Sequence, residues 1–197
     1  MTTCPNCAMQ YQCICSSIPV LESQIHIALV THENELSRDT NTGQWAEKML
    51  TNCQRYLWQR KSPPTTLIEL INSGNYTPLL VFPDESSSNL RADFIANLSK
   101  PALLIVLDAT WQEAKKMLNK STWLNVLPRV HLESSTTSQY QLRRNQASGN
   151  LCTLEVVAEL VALHNNKTDA DKVAPFLDSY TKAFKADKCG HAYNGKK

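Results

Sequence analysis

The residues densest in chemistry stand first in the chain. Cys4, Cys7, Cys13 and Cys15 fall within fifteen residues, in the spacing C-x2-C-x5-C-x-C. A C-x2-C turn lets two thiolates reach one tetrahedral ion, and two further thiolates close its shell. Together the four make a structural Cys4 zinc site, which leaves no open position for catalysis. Such a site orders a segment that has little apolar surface to bury. An iron–sulfur cluster is the weaker metal reading and a redox pair the non-metal one. A disulfide framework fits poorly, because the cysteine count of 7 is odd and no export signal is seen. Cys53, Cys152 and Cys189 stand alone and read as small buried apolar residues.

The second reactive string is Asp108-Ala109-Thr110-Trp111, which follows the apolar run 101–107. A carboxylate there can take a proton from a weak acid or orient a cationic group. The plainer reading makes Asp108 a helix cap and Trp111 a core residue. Four other segments carry chemistry-bearing types: Thr31–Glu35 with His32 and Glu35 in H-x-x-E spacing, Asn41-Thr42-Gly43, Phe82-Pro83-Asp84, and Tyr140 to Glu155 with Arg143 and Arg144. The arginine pair reads as a phosphate contact or as a solvated loop pair. Lys115 and Lys116 read as a solvated helix face.

Alternating strands and helices must position these residues. Apolar runs at 25–30, 77–83, 101–111 and 126–132 predict strands. Helical patterns cover the segment opening at Asn41-Thr42, then 65–74 (stopped by Gly74), 86–98, 112–120, 152–166 and 173–188. Short buried strands separated by helices imply a mostly parallel sheet covered on both faces. Ligands on such sheets bind beyond the carboxyl ends of the strands, where Phe82, Asp108 and the 140–155 segment are expected. No G-x-G-x-x-G, Walker A or G-x-S-x-G string is present, which argues against dinucleotide, P-loop and α/β-hydrolase sites.

Composition sets the outer bounds. At 197 residues, 42% hydrophobic and 19% charged, the chain can bury a core. A formal charge of +2 excludes a polybasic coat but allows a local nucleic-acid patch. No apolar run approaches the roughly 20 residues of a membrane span, and the expected location is the cytoplasm.

Taken in order, the cysteine cluster, the His32/Glu35 segment, Asn41-Thr42-Gly43, Phe82-Pro83, D-A-T-W, and Tyr140-x-Leu142-Arg143 leading to Leu151–Glu155 resemble the DTW-domain family of tRNA-uridine aminocarboxypropyltransferases. The resemblance runs from Cys4 to about His164. It implies transfer of the 3-amino-3-carboxypropyl group of S-adenosylmethionine to N3 of a tRNA uridine, position 47 in the variable loop, with release of 5′-methylthioadenosine. It implies a SPOUT-like α/β fold with a C-terminal trefoil knot over residues 21–197, preceded by a zinc module over 1–20. Asp108 is then the expected catalytic base or orienting group. Phe82, Pro83, Asp108, Thr110, Trp111, Leu151, Cys152, Thr153 and Glu155 are expected around the cofactor. His32, Glu35, Arg143 and Arg144 are expected to face the tRNA. The C-terminal helix is expected to cover the surface on which knotted transferases dimerise, leaving a monomer. Three rivals are a SPOUT-type RNA methyltransferase, a ribosomal-RNA aminocarboxypropyltransferase and a non-catalytic zinc-ribbon RNA-binding module.

Overall fold

The computed structural model describes residues 2–133, 138, 140, 142, 151–164 and 166–193. Among them are strands β1 (His26–His32), β2 (Cys53–Trp58), β3 (Thr77–Val81), β4 (Ser88–Asn89), β5 (Ala102–Asp108) and β6 (Arg129–His131). The helices are α1 (Glu33–Leu36), α2 (Gly43–Met49), α3 (Thr65–Asn72), α4 (Ala92–Ala96), α5 (Trp111–Lys120), α6 (Thr122–Asn125), α7 (Thr153–Leu163), α8 (Lys167–Ala170) and α9 (Val173–Lys188).

The six strands form one sheet in the order β2-β1-β5-β3-β6-β4, and every neighbouring pair is parallel. The neighbouring strands β1 and β5, His-Ile-Ala-Leu-Val and Ala-Leu-Leu-Ile-Val-Leu, are largely apolar runs buried on both faces. Alternation sorts them. Ile27, Leu29, Leu79, Leu104 and Val106 meet Trp45 and Met49 of α2, Leu160 of α7 and Tyr180 of α9. Ala28, Val30, Leu80, Leu103 and Ile105 meet Leu67 of α3 and Ala114, Met117 and Leu118 of α5. Each fully buried Leu, Ile or Val stabilises the fold by about 1.5–3 kcal/mol relative to exposure.

The structure corrects several sequence expectations. Strand β2 was not foreseen, because at the sheet edge Gln54 and Arg55 interrupt Cys-Gln-Arg-Tyr-Leu-Trp and leave no continuous apolar run. Residues 86–98 are not one helix. Ser88-Asn89 pairs with β6 as the other edge strand, and only Ala92–Ala96 is helical. The segment 126–132 becomes strand only at Arg129, since Thr122–Asn125 forms α6 just before it. Cys53 and Cys152 are buried as expected, but Cys189 is exposed. The expected knot depends on residues 134–150, which lie largely outside the described residues. No helix among the described residues is long and apolar enough to cross a membrane.

The N-terminal segment packs on the main body. Cys7, Met9 and Ile14 share the core that α2, α7 and α9 build. The backbone N–H groups of Gln10 and Tyr11 both donate to Asp187 Oδ1 near the end of α9, at 2.8 and 2.7 Å.

Candidate active site

Asp108 is the last residue of β5 and lies opposite Thr31 of β1 in the parallel register. Its place in the alternation turns its side chain toward the face covered by α2 and α7. There it is fully buried. Thr153, the first residue of α7, donates its hydroxyl to Asp108 Oδ1 at 2.7 Å. Thr31 donates to Oδ2 at 3.1 Å, and the Asn41 amide donates to both oxygens at 3.1 and 2.9 Å. Burial pushes the Asp108 carboxyl up from its ordinary range, the bonds from Asn41 and Thr153 pull it back, and the nearby charge of Glu35 adds to the rise. Gly43, which opens α2, lies directly against the carboxylate. The group therefore sits at the N-terminal ends of two helices, where the exposed ends of the peptide dipoles favour an anion.

A second polar cluster adjoins the first. Glu35, expected at a substrate entrance, is instead 2% exposed. It accepts from Arg38 and, at 3.0 Å, from Asn41, the residue that also holds Asp108. Arg38 bridges to Glu113 of α5 through both terminal nitrogens, at 3.0 and 2.9 Å. Glu113 further accepts from Asn34 at 2.8 Å and from the backbone N–H and hydroxyl of Thr110, closing a capping box at the start of α5. Burial would raise the Glu113 carboxyl. The bonds from Arg38, Asn34 and Thr110 outweigh it and hold the group well below the usual range. Thr110, not Asp108, is thus the helix cap.

His32 is also buried, at 3% exposure, and does not stand at an entrance. It lies opposite Trp58 in the β1–β2 register, and the two rings stack with centroids 5.2 Å apart. Its Nδ1 accepts the Asn34 backbone N–H at 3.2 Å, so the neutral ring carries its proton on Nε2. That buried nitrogen has no partner among the described residues.

An open cleft of about 250 Å³ lies at the carboxyl ends of β3, β5 and β6. Its walls include Phe82, Pro83, Trp111, His131, Leu151 and Thr153. The Phe82 and Trp111 rings are tilted against each other at 5.7 Å, and Trp111 is 40% exposed. Most of the remaining wall is aliphatic, which suits a flat heteroaromatic ring. Of the expected cofactor residues, Phe82, Pro83, Trp111, Leu151 and Thr153 line this cleft. Asp108, Thr110, Cys152 and Glu155 do not: Asp108 and Cys152 are fully buried, Thr110 caps α5, and Glu155 borders a separate pocket beside α8 and α9. Cys152 is fully buried, with a thiol pushed up to about 12 by burial. Glu155 Oε2 accepts from the Cys152 N–H and the Ser138 hydroxyl, each at 2.7 Å, at the N-terminus of α7. Arg143 and Arg144 lie outside the described residues.

The four N-terminal thiols have sulfurs all within 4.8 Å of one another. Cys4 Sγ lies 3.7 Å from both Cys13 Sγ and Cys15 Sγ. Sulfurs on a tetrahedral ion with metal–sulfur bonds of 2.3 Å stand about 3.8 Å apart, so the cluster could hold a metal ion. Backbone N–H groups of Cys7 and Asn6 lower the Cys4 thiol to about 6, whereas burial raises the Cys7 thiol and pushes Cys15 up to about 12. Ala8 adopts φ 58° just after Cys7, which lets the turn close.

Sequence reasoning placed Glu113 in the first turn of α5 but missed its pairing with Arg38, and missed Asn41 and Gly43 as partners of Asp108. Asn41 and Gly43 stood in a string already singled out. Nothing local marked the pairing of Arg38 with Glu113, which spans 75 residues.

The fold is a parallel α/β sheet with an open cleft beyond the carboxyl ends of its strands. The chain belongs to the DTW domain family, whose model matches residues 1–185. It is similar to the tRNA-uridine aminocarboxypropyltransferase 2 of Mus musculus, 26% identical over 81% of this chain and 55% of that protein. The protein of the same name from Macaca fascicularis is 24% identical over the same shares. That from Drosophila melanogaster is 30% identical over 46% of this chain and 36% of its own length. The chain spans about half the length of the curated mammalian relatives it matches. No solved structure matches it.

Proposed function

We propose that this protein is a tRNA-uridine aminocarboxypropyltransferase that uses S-adenosylmethionine. The observation that carries the reading is the aromatic cleft of Phe82 and Trp111 in a DTW-family chain, backed by the buried D-A-T-W carboxylate. In the proposed reaction, uridine N3 gives its proton to solvent water and bonds to the methionine Cγ as the Cγ–S bond breaks, and methylthioadenosine leaves as a neutral thioether that keeps the bond's electron pair. A sulfonium is already a good leaving group. The protein's task is to present Cγ rather than the methyl, which is a matter of placement.

Phe82 and Trp111 are proposed to hold the adenine ring, with Pro83 and Leu151 closing the slot. Asp108 is proposed to act from behind the wall: it fixes the Thr153 hydroxyl, and with it the first turn of α7, against the cleft. Its negative charge complements a cationic co-substrate. Arg143 of the sequence motif remains the proposed phosphate contact, and the uridine is placed in the variable loop by family resemblance. The cysteine cluster is proposed to hold a structural Zn²⁺, whose full coordination leaves it no part in the reaction. The SPOUT-like knot, the two-part division at residue 20, a cytoplasmic location and a monomeric state complete the proposal.

Incubation with unmodified tRNA and S-adenosylmethionine, followed by mass spectrometry of nucleosides and small molecules, tests it. Aminocarboxypropyluridine with methylthioadenosine is the expected pair. A methylated base with S-adenosylhomocysteine would turn the reading to a methyltransferase. Neither pair, with tRNA still bound, would leave a binding module.

A further inference from the structure

Along the C-terminal helices, four surface lysines have carboxylate partners. Lys167 pairs with Asp171 at 3.3 Å, Lys182 with Asp178 at 2.6 Å, Lys188 with Asp39 at 2.7 Å, and Lys172 with Asp169 at 2.5 Å. Helix α5 differs from those helices. Its exposed positions are Trp111, Gln112, Lys115, Lys116, Asn119 and Lys120, with no acid among them. None of the three lysines has an ion pair or hydrogen bond to a described residue. The helix's one acid, Glu113, is turned inward and committed to Arg38, Asn34 and Thr110.

The face has a direction. Trp111 at its start is a wall of the cleft. Lys115 follows Trp111 at i+4, and Lys120 follows Lys116 at i+4, so two ridges of side chains run away from the cleft with steps of about 6 Å. The far end is extended by a second cationic segment. The Trp58 indole donates to Ser121, the residue after Lys120, at 2.8 Å. Arg60 and Lys61, both exposed, leave β2 two and three residues beyond Trp58. Five cations therefore continue the cleft outward with no acid on α5's exposed face or in the stretch 59–62.

We infer that the outer face of α5, with Arg60 and Lys61, is the track on which the RNA phosphate backbone lies as its base enters the cleft. The surface rests on the proposed function, which supplies the polyanion. Charge complementarity and continuity with the cleft select that partner. A charged track acts through counterion release, so its signature is salt dependence rather than sequence preference.

The test compares the whole protein with a Lys115→Gln, Lys116→Gln, Lys120→Gln variant in filter binding of unmodified tRNA transcript across a salt series. A Lys167→Gln, Lys182→Gln variant serves as the control for simple charge loss. All substituted side chains are exposed, and circular dichroism melts check folding. The expected result is a fall of about 2–3 in the slope of log K against log salt, and a tenfold to hundredfold loss of affinity at about 0.1 M salt. The control retains its slope, and S-adenosylmethionine binding is unchanged in every variant. A wild-type slope and affinity in the α5 variant would overturn the inference and leave the face to an acidic protein partner. Product formation by the unsubstituted protein is scored separately, so failure of the reaction and failure of the surface give different results.

Discussion

Gly43 is the residue that Asp108 allows no side chain. A Cβ built there would stand 2.5 Å from Asp108 Oδ2 and 2.7 Å from its Cγ, closer than atoms in real proteins approach. The glycine is needed here for space and not for an unusual backbone. Replacement by alanine must push the carboxylate, the first turn of α2, or both. Gly43→Ala is expected to cost about 1–3 kcal/mol, as overpacking does in a filled core. That is a fall of roughly 2–12 °C in Tm for a domain of this size. Thermal melts of the two proteins decide the matter; equal Tm values would mean that the carboxylate moves freely.

Asp108 itself has a pH signature whose sign follows from its environment. Its carboxyl is raised in the folded state, chiefly by burial, so protonation favours folding. The ionised group is a burden above its folded pKa, relieved as pH falls toward the unfolded value of about 4. Asp108→Asn has no charge to relieve. Denaturation of both proteins from pH 8 down to pH 4 should show the wild type gaining stability relative to the variant as pH falls. Asp108→Ala strips partners from Asn41, Thr31 and Thr153 together and should cost about 3–5 kcal/mol. A stability difference between wild type and Asp108→Asn that stays flat with pH would show that the carboxyl is not raised.

Glu113 is the opposite case. Its carboxyl is held low in the folded protein, despite burial, by the hydrogen bonds from Arg38, Asn34 and Thr110. The stability it provides is complete above the unfolded value of about 4.5 and is lost as pH falls through the depressed folded one. Glu113→Gln weakens the bridge to Arg38 and half of the capping box, at an expected cost of about 2 kcal/mol at pH 7. The cost should shrink as pH is lowered below the unfolded value. Urea titrations of both proteins at pH 7 and pH 3 would show it, and a cost that grows on acidification would contradict the assignment.

The thiol cluster makes a compositional prediction. The purified protein should carry about one equivalent of zinc by mass spectrometry. Cys4→Ser should lose the metal and lower the Tm, because Cys7, Met9 and Ile14 belong to the main core. Protein with no metal and an unchanged melting point in the variant would leave the segment held by packing alone.

Much of this was legible in the sequence, for physical reasons that differ by element. β5 announced itself because strands buried on both faces are uninterrupted apolar runs, and D-A-T-W stood out because parallel sheets generally bind ligands beyond such strand ends. The cysteine cluster was readable because metal ligation constrains spacing. β2 was not, since an edge strand tolerates polar residues such as Gln54 and Arg55 that break the apolar run. His32 and Glu35 were recognised as important types but placed at the surface, whereas register stacks His32 on Trp58 and Asn41 ties Glu35 to Asp108. A carboxylate's partners are set by which strands lie side by side, and that order, with β5 inserted between β1 and β3, is a property of the whole chain.

The bonds from Gln10 and Tyr11 to Asp187 have a consequence for the order of events during synthesis. Donors and acceptor are 177 and 176 residues apart. A chain made from its N-terminus exposes the four cysteines well before the helix that receives their segment. Throughout translation the thiols are presented to the cell's metal pool and oxidants without their dock. A bound ion would keep the segment folded and reduced through that interval, so that it arrives at α9 already shaped.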